Sequence, residues 1–260
     1  MADKSGSGRT VESVWKTYEK VQPTDVLQQG DLIKSAGAAP HFSVVVTADC
    51  DLERRKHSRV VTLVPLLTFE QVICRSLAFD YFEAQDGGLR GKAKGALALE
   101  PGPNDPDFVG ALKAHLRGGT CGSPQNELLA KVVAQEQIEL AIGDVREIAR
   151  VLNHPWAGRL DAFRKQIESR GDMLVLAPPP LINSSNQVAW LRGLFQEQVS
   201  EIALLTSREA ECRWLRIAQL TSPFRYRLTQ MLGQVFSDIG LPDLSSTHLD
   251  PDVQHLSGLQ

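Results

Sequence analysis

No stretch of this 260-residue chain approaches the roughly 20 consecutive apolar residues that a membrane-crossing helix needs. The first ten residues, MADKSGSGRT, lack the apolar core of a secretory signal and read as a short disordered lead. Cysteine is scarce: Cys50, Cys74, Cys121 and Cys212 stand far apart, with no CxxC pair and no histidine at zinc-ligand spacing. That pattern argues against a disulfide scaffold or a zinc framework and reads as reduced thiols in a cytoplasmic protein. Aromatic residues make up 6% of the chain, and only Trp214, Phe224 and Tyr226 stand near a basic stretch, which leaves little for stacking successive bases. Gly87 to Lys94 (GGLRGKAK) has neither the glycine spacing nor the Gly-Lys-Ser/Thr of a phosphate-binding P-loop. The net charge of −3 gives no global pull toward nucleic acid or anionic lipid, so any basic surface is local.

What is present organises itself around Phe42 to Leu52 (FSVVVTADCDL). Val44, Val45 and Val46 are β-branched and favour a strand buried on both faces. The strand breaks into Asp49-Cys50-Asp51, a polar site candidate with two carboxylates around one thiol. Those carboxylates raise a thiol's pKa and suit turn-forming hydrogen bonds better than a Cys50 nucleophile with His57 as base. Asp49, Asp51 and Glu53 alone form a weak oxygen set, so no metal or other cofactor is implied. Before this strand, Gly30-Asp31-Leu32-Ile33 begins another; after it, Val60 to Leu67 (VVTLVPLL) reads as a third, with Pro65 suggesting an edge or a strand end.

The spacing predicts a short amphipathic helix over Thr10 to Lys20 and a second from Phe69 through Tyr81, stopped by Gly87-Gly88. Residues 90 to 122, rich in glycine and proline, read as a mobile surface segment. Helical periodicity resumes at Ser123-Pro124 and runs to about Ser169. Met173 to Ala177 restores strand character; Gln187 to Leu205 fits helix or strand; Trp214 to Leu220 alternates in part. Ser222-Pro223 then starts a helix with an apolar face from Phe224 to Ile239, which Gly240 ends. The chain thus divides into a lead with a short helix (1–27), a first set of strands (28–70), a helical insertion (71–171), further strands with a closing helix (172–243) and a frayed tail (244–260).

The order Gly30-Asp31-Leu32-Ile33, then the valine strand, then Val60 to Thr68 ending VPLLT resembles the PemK/MazF-type toxin barrel. A late strand with Arg216-Ile-Ala-Gln-Leu-Thr before a long helix is similar to that family's closing segment. The likeness covers residues 28 to 70 and 172 to 242. Cys50-Asp51-Leu52, Ser222-Pro-x-Arg and Ile239-Gly-Leu-Pro242 together look like a group of uncharacterised bacterial proteins. The resemblance implies an α+β fold: a small SH3-like β-barrel with a helical insertion and a long C-terminal helix. It also implies binding or metal-independent cutting of single-stranded RNA, the 2′-hydroxyl attacking the adjacent phosphate. Thr68 matches the family's strand-end threonine. The family's arginine falls on Ala39, beside Pro40, and neighbouring His41 can act as acid or base but cannot grip phosphate bidentately.

Two basic clusters complete the candidates: Arg54, Arg55, Lys56 and Arg59, and then Arg213 and Arg216 with Arg225 and Arg227. Either can hold phosphates, or simply be solvated surface. The first expectation is a non-catalytic nucleic-acid-binding or interaction module of a bacterial toxin–antitoxin or phage-defence system, with single-stranded RNA or DNA as partner. The second is a PemK/MazF-type endoribonuclease using Thr68, His41 and an arginine from 54 to 59. The third is a structural adaptor that binds a partner protein through residues 71–171.

Overall fold

The computed structural model describes residues 13–17, 26–37, 40–54, 59–136, 138–180 and 185–237. The tail, the helix exit at Ile239-Gly240, the lead before Ser13, and Arg55, Lys56 and His57 lie outside these residues. The first strands are β1 (Trp15–Thr17), β2 (Asp31–Ser35) and β3 (Phe42–Val45), followed by a short helix α1 (Asp49–Glu53) and β4 (Val60–Thr68). A helical stretch comes next. It holds α2 (Phe69–Val72), a π-helical turn (Ile73–Leu77), α3 (Ala78–Ala84), α4 (Asp86–Leu97), α5 (Phe108–Gly118), α6 (Pro124–Val133), α7 (Ile142–Val151) and α8 (Trp156–Ser169). The chain then returns through β5 (Met173–Leu176), β6 (Gln187–Trp190), β7 (Phe195–Gln198), β8 (Ile202–Ala203) and β9 (Trp214–Leu220), and ends in α9 (Ser222–Ser237).

The strands among the described residues join one sheet with the path β1-β9-β2-β3-β4-β6-β5, paired antiparallel throughout. Two strands lie off it: β7 pairs with β4, and β8 runs parallel to β9. Phe195 to Ala203 therefore touches β4 at one end and β9 at the other, so the sheet curls round on itself. This is a mixed α+β fold built on a curled, mainly antiparallel sheet.

Both faces of the central strands are covered. Leu32, Phe42, Val44, Val64 and Leu66 pack toward α9, whose Leu228, Met231 and Val235 fill that side. Ile33, Val45, Val61, Leu63 and Trp214 face the inside of the curl, where Leu52 of α1 closes over them. A strand with two buried faces has no need of polar alternation, which accounts for the valine-rich run of β3, buried at every position.

Pro65 sits within β4 and not at an edge or end. The outer neighbour of β4 changes there: β7 pairs through Leu63 and β6 begins at Leu66. In between the chain makes a 3₁₀ turn, Leu191–Gly193. A Cβ on Gly193 would lie 2.7 Å from Trp190 and 3.0 Å from Pro65, so only glycine fits this crossing. The proline occupies the stretch where no ladder bond is offered on that side.

Three other expectations are corrected. Of the residues described within Thr10 to Lys20, Trp15–Thr17 form strand β1 and none is helical; Trp15 is buried and its indole N–H donates to the Ala177 carbonyl at 3.0 Å. Gly87 and Gly88 do not stop a helix but lie in the first turn of α4. Residues 90 to 122 hold most of α4 and all of α5, because Leu89, Ala93 and Leu97 recur every fourth residue and, with Phe108 and Leu112, enter the helical core. That recurring apolar face outweighs the low helix propensity of glycine. The ambiguous 187–205 region resolves as strands β6, β7 and β8 with 3₁₀ turns between them.

Two buried carboxylates tie distant parts of the chain together. Asp31 lies 3.6 Å from Arg216, with side-chain exposures of 0% and 1%. Asp31 also accepts from the Gln28 backbone N–H at 2.8 Å, and Arg216 donates to the Val26 carbonyl at 3.2 Å. Between them Gly30 holds a positive φ of 89°, and a Cβ there would sit 3.0 Å from the Arg225 stem. The second carboxylate, Asp172, accepts from Arg170 at 2.9 and 3.0 Å and from Arg192 at 2.5 Å, while Arg170 also reaches Asp80 of α3. Burial pushes the Asp172 carboxyl up, but the Arg170 and Arg192 guanidiniums outweigh it and hold its pKa below the ordinary value.

Two outcomes follow from these ties. Arg216→Ala, which strands a buried carboxylate, is expected to lower the urea-unfolding free energy by about 3–5 kcal/mol. Exposed Arg213→Ala should change it by no more than about 0.5 kcal/mol. Because the folded pKa of Asp172 is depressed, its contribution is present above the unfolded pKa of about 4 and lost as pH falls through the folded value. The urea midpoint of the wild type should therefore drop more steeply below about pH 4 than that of Asp172→Asn.

Candidate functional site

Asp49, Cys50 and Asp51 form the first turn of α1 at the end of β3. Asp49 accepts from the Gln29 backbone N–H at 2.6 Å, and its other oxygen lies 3.8 Å from Arg225 of α9. It is thus a tie between the entry to β2, α1 and the closing helix. Cys50 is exposed, with its sulfur 3.8 Å from an Asp51 oxygen. Among the described residues no three His, Cys, Asp or Glu side chains are grouped as a metal would require.

The candidate cations do not gather in one patch. Arg54 and Arg59 are exposed on either side of the α1–β4 connection. Arg213 is exposed and 3.3 Å from Glu197, the same carboxylate that receives the Trp214 indole N–H at 2.9 Å. Arg216, grouped with Arg213 in the sequence, points the other way into the curl and pairs with Asp31; its 1% exposure removes it from any phosphate-facing surface. Arg213 precedes β9, whereas Arg216 lies within it, on the same face as buried Trp214.

Thr68 and His41 stand at the opposite end of the β3–β4 pair from Arg54 and Arg59. The nine residues of β4 span about 27 Å along the strand, so no single phosphate meets all of them. The Thr68 hydroxyl is already engaged: it accepts from the Gln71 backbone N–H at 3.2 Å, and the Gln71 side chain accepts from the Thr68 N–H at 2.9 Å. This reciprocal capping box starts α2. His41 is exposed, and its backbone, not its ring, is held by Ser35.

Beside Thr68 lies a feature that the sequence reading does not identify. A cavity of about 690 Å³ opens between α2, the π-helical turn and the connection from α6 to α7, with Cys74 and Leu140 among its buried lining. A second cavity of about 350 Å³ runs on between α3 and the end of α6. They share Phe79 and Ile138, so the two cavities adjoin and together make a cleft divided by these side chains. Phe79 is 41% exposed, although it stacks edge-on against Phe82 with ring centres 6.4 Å apart. Burial raises the Cys74 thiol pKa, with Glu70 and Asp144 adding to the rise, so this cysteine is not a ready nucleophile. The signal in the sequence was Phe79 itself, an aromatic off the Phe69–Ile73–Leu77–Tyr81 stripe.

The fold and this cleft define the chain as an α+β protein in which a helical body is inserted into a curled sheet. No protein family, curated protein or solved structure matches it. No helix among the described residues is long and apolar enough to cross a membrane.

The capping role of Thr68 has a direct consequence. Thr68→Ala should cost about 1 kcal/mol in urea unfolding, and Thr68→Ser should restore most of it.

Proposed function

We propose that the protein is a non-catalytic interaction module that docks a partner protein in the cleft beside α3. The observation that supports this reading is the pair of adjoining cavities in the helical part of the chain, with a large exposed aromatic ring between them. Exposed aromatics in partly desolvated depressions are the usual anchors of protein recognition. The residues with acid–base or nucleophilic capacity are dispersed. Thr68 caps a helix, Asp49 bridges three elements, and Arg54 and Arg59 lie a strand's length from His41. In this reading the curled sheet is an SH3-like barrel of the PemK/MazF kind serving as scaffold. The β2–β3–β4 succession, the β7–β8 traverse and closing helix α9 support that finer assignment.

A second reading, binding of single-stranded nucleic acid in a toxin–antitoxin or phage-defence setting, draws on Arg54, Arg59 and Arg213. Glu53 and Glu197 adjoin two of these cations, so the surface presents mixed sign where phosphate binding needs a continuous positive track. The protein partner is therefore preferred.

A photo-reactive phenylalanine analogue placed at position 79 of the full chain, irradiated in the native cell, should yield a discrete protein adduct. The same group at Val175, exposed on β5, should not yield that adduct. A nucleic-acid adduct, no adduct, or identical adducts from both positions would overturn the docking reading.

A further inference from the structure

We infer that the segment received by this cleft is basic and carries an apolar anchor; the inference rests on the docking reading and adds the partner's chemistry. Glu70, Glu83, Glu136 and Glu139 surround the two joined cavities. None of the four forms an ion pair or a side-chain hydrogen bond among the described residues. Among the described residues, Glu100 and Asp107 elsewhere on the helical body are unpaired as well, but they stand apart from the cavities, and most other surface carboxylates of this body are paired. Glu127 pairs with Lys131 at 2.6 Å, Glu147 with Arg150 at 2.7 Å, and Asp161 with Arg164 and Lys165 at 2.7 and 2.8 Å. Asp86, which also borders the cleft, is satisfied by Arg90 at 2.7 Å. Arg75 is the one cation among the described lining residues, and Lys131 attracts Glu136 from outside the lining.

Charges of one sign crowded around a depression raise its local potential, and a ligand of opposite sign relieves that repulsion while it docks. Phosphate-bearing ligands are disfavoured by the same field. Phe79 adds a second element of recognition, because the face of an exposed ring attracts a guanidinium or ammonium. Below the ring the buried Cys74 and Leu140 give the wider cavity an apolar floor that takes an aliphatic or aromatic side chain. The floor includes the π-helical turn Ile73–Leu77, a local departure from α-helix geometry of the kind found at functional positions. Carboxylate rim, exposed ring and apolar floor together fit an extended peptide segment with Lys or Arg beside one large apolar residue.

The test is selection of a random peptide library displayed on phage against the full chain, followed by fluorescence polarisation with the enriched peptides. Enriched sequences are expected to carry net positive charge and a large apolar residue. Their affinity should fall about tenfold in Glu70→Gln/Glu139→Gln and on raising salt from about 50 to 300 mM, which screens exposed charges. Phe79→Ala should weaken them as strongly, and Arg213→Ala should leave them unchanged. Thermal unfolding checks that the exposed substitutions leave the fold intact. If enriched peptides are neutral or acidic, need Phe79 and bind Glu70→Gln/Glu139→Gln as well as wild type, the charge assignment fails and the docking reading stands. If no enriched peptide depends on Phe79, both fail.

Discussion

Apart from the Asp31–Arg216 pair, the central strands β2, β3, β4 and β9 bury mainly apolar side chains on both faces, and the chain has to cover each face from a different place. One cover is α9, which comes from the far end of the sequence and lays Leu228, Met231 and Val235 on Leu32, Val44 and Leu66. The other is the sheet itself, curled until Ile33, Val45, Leu63 and Trp214 meet across its interior. Each such side chain contributes about 1.5–3 kcal/mol on full burial, before the entropy of ordering it. The helical body is attached where this double cover leaves room. Leu67 at the end of β4, Val188 of β6 and Met173 of β5 belong to its core and not to either face of the curl.

The polar ties act at the borders between these cores. Asp31 and Arg216 lock the approach to β2 against β9, and Asp49 links the same approach to α1 and α9. Asp172, Arg170, Arg192 and Asp80 join α3, the end of α8 and the turn after β6. A buried ion pair adds little to stability over a well-packed apolar substitute, but losing one member is costly, so such pairs act chiefly against misplacement. The cleft lies along α3, and the Arg170–Asp80 contact is one of the fixings that hold this helix to the sheet.

Much of this was legible in the residues. The three early strands follow from β-branched runs between turn residues, β9 follows at its full length, and α9 follows from Ser222-Pro223 and its apolar spacing. The failures have identifiable causes. Composition suggested a loose segment at 90–122, but a helix needs only its packed face to be apolar, and Leu89, Ala93 and Leu97 supply that while the glycines face outward. Pro65 implied an edge because local sequence cannot show that the neighbouring strand breaks beside it. Arg216 looked like a surface cation because its acidic partner, Asp31, is far away along the chain. The cleft was invisible for a similar reason: Glu70, Glu83, Glu136 and Glu139 come together only after α6 packs on α4 and α5 and its end arrives beside α3.

The position of β9 in the sheet bears on how the chain reaches its native state. This strand pairs with β1 and β2, so its ladder bonds join residues around 15 to 35 with residues around 214 to 220. During synthesis from the amino end, β2 is made long before its neighbour exists, and one flank and one apolar face stay uncovered meanwhile. The helices between Phe69 and Ser169 rest largely on nearby contacts and can consolidate while the sheet waits. Completion of the sheet is then the late event, reached only when the last strand and helix are released. Truncations near the carboxyl end would leave an open, sticky strand edge and not merely a shorter protein.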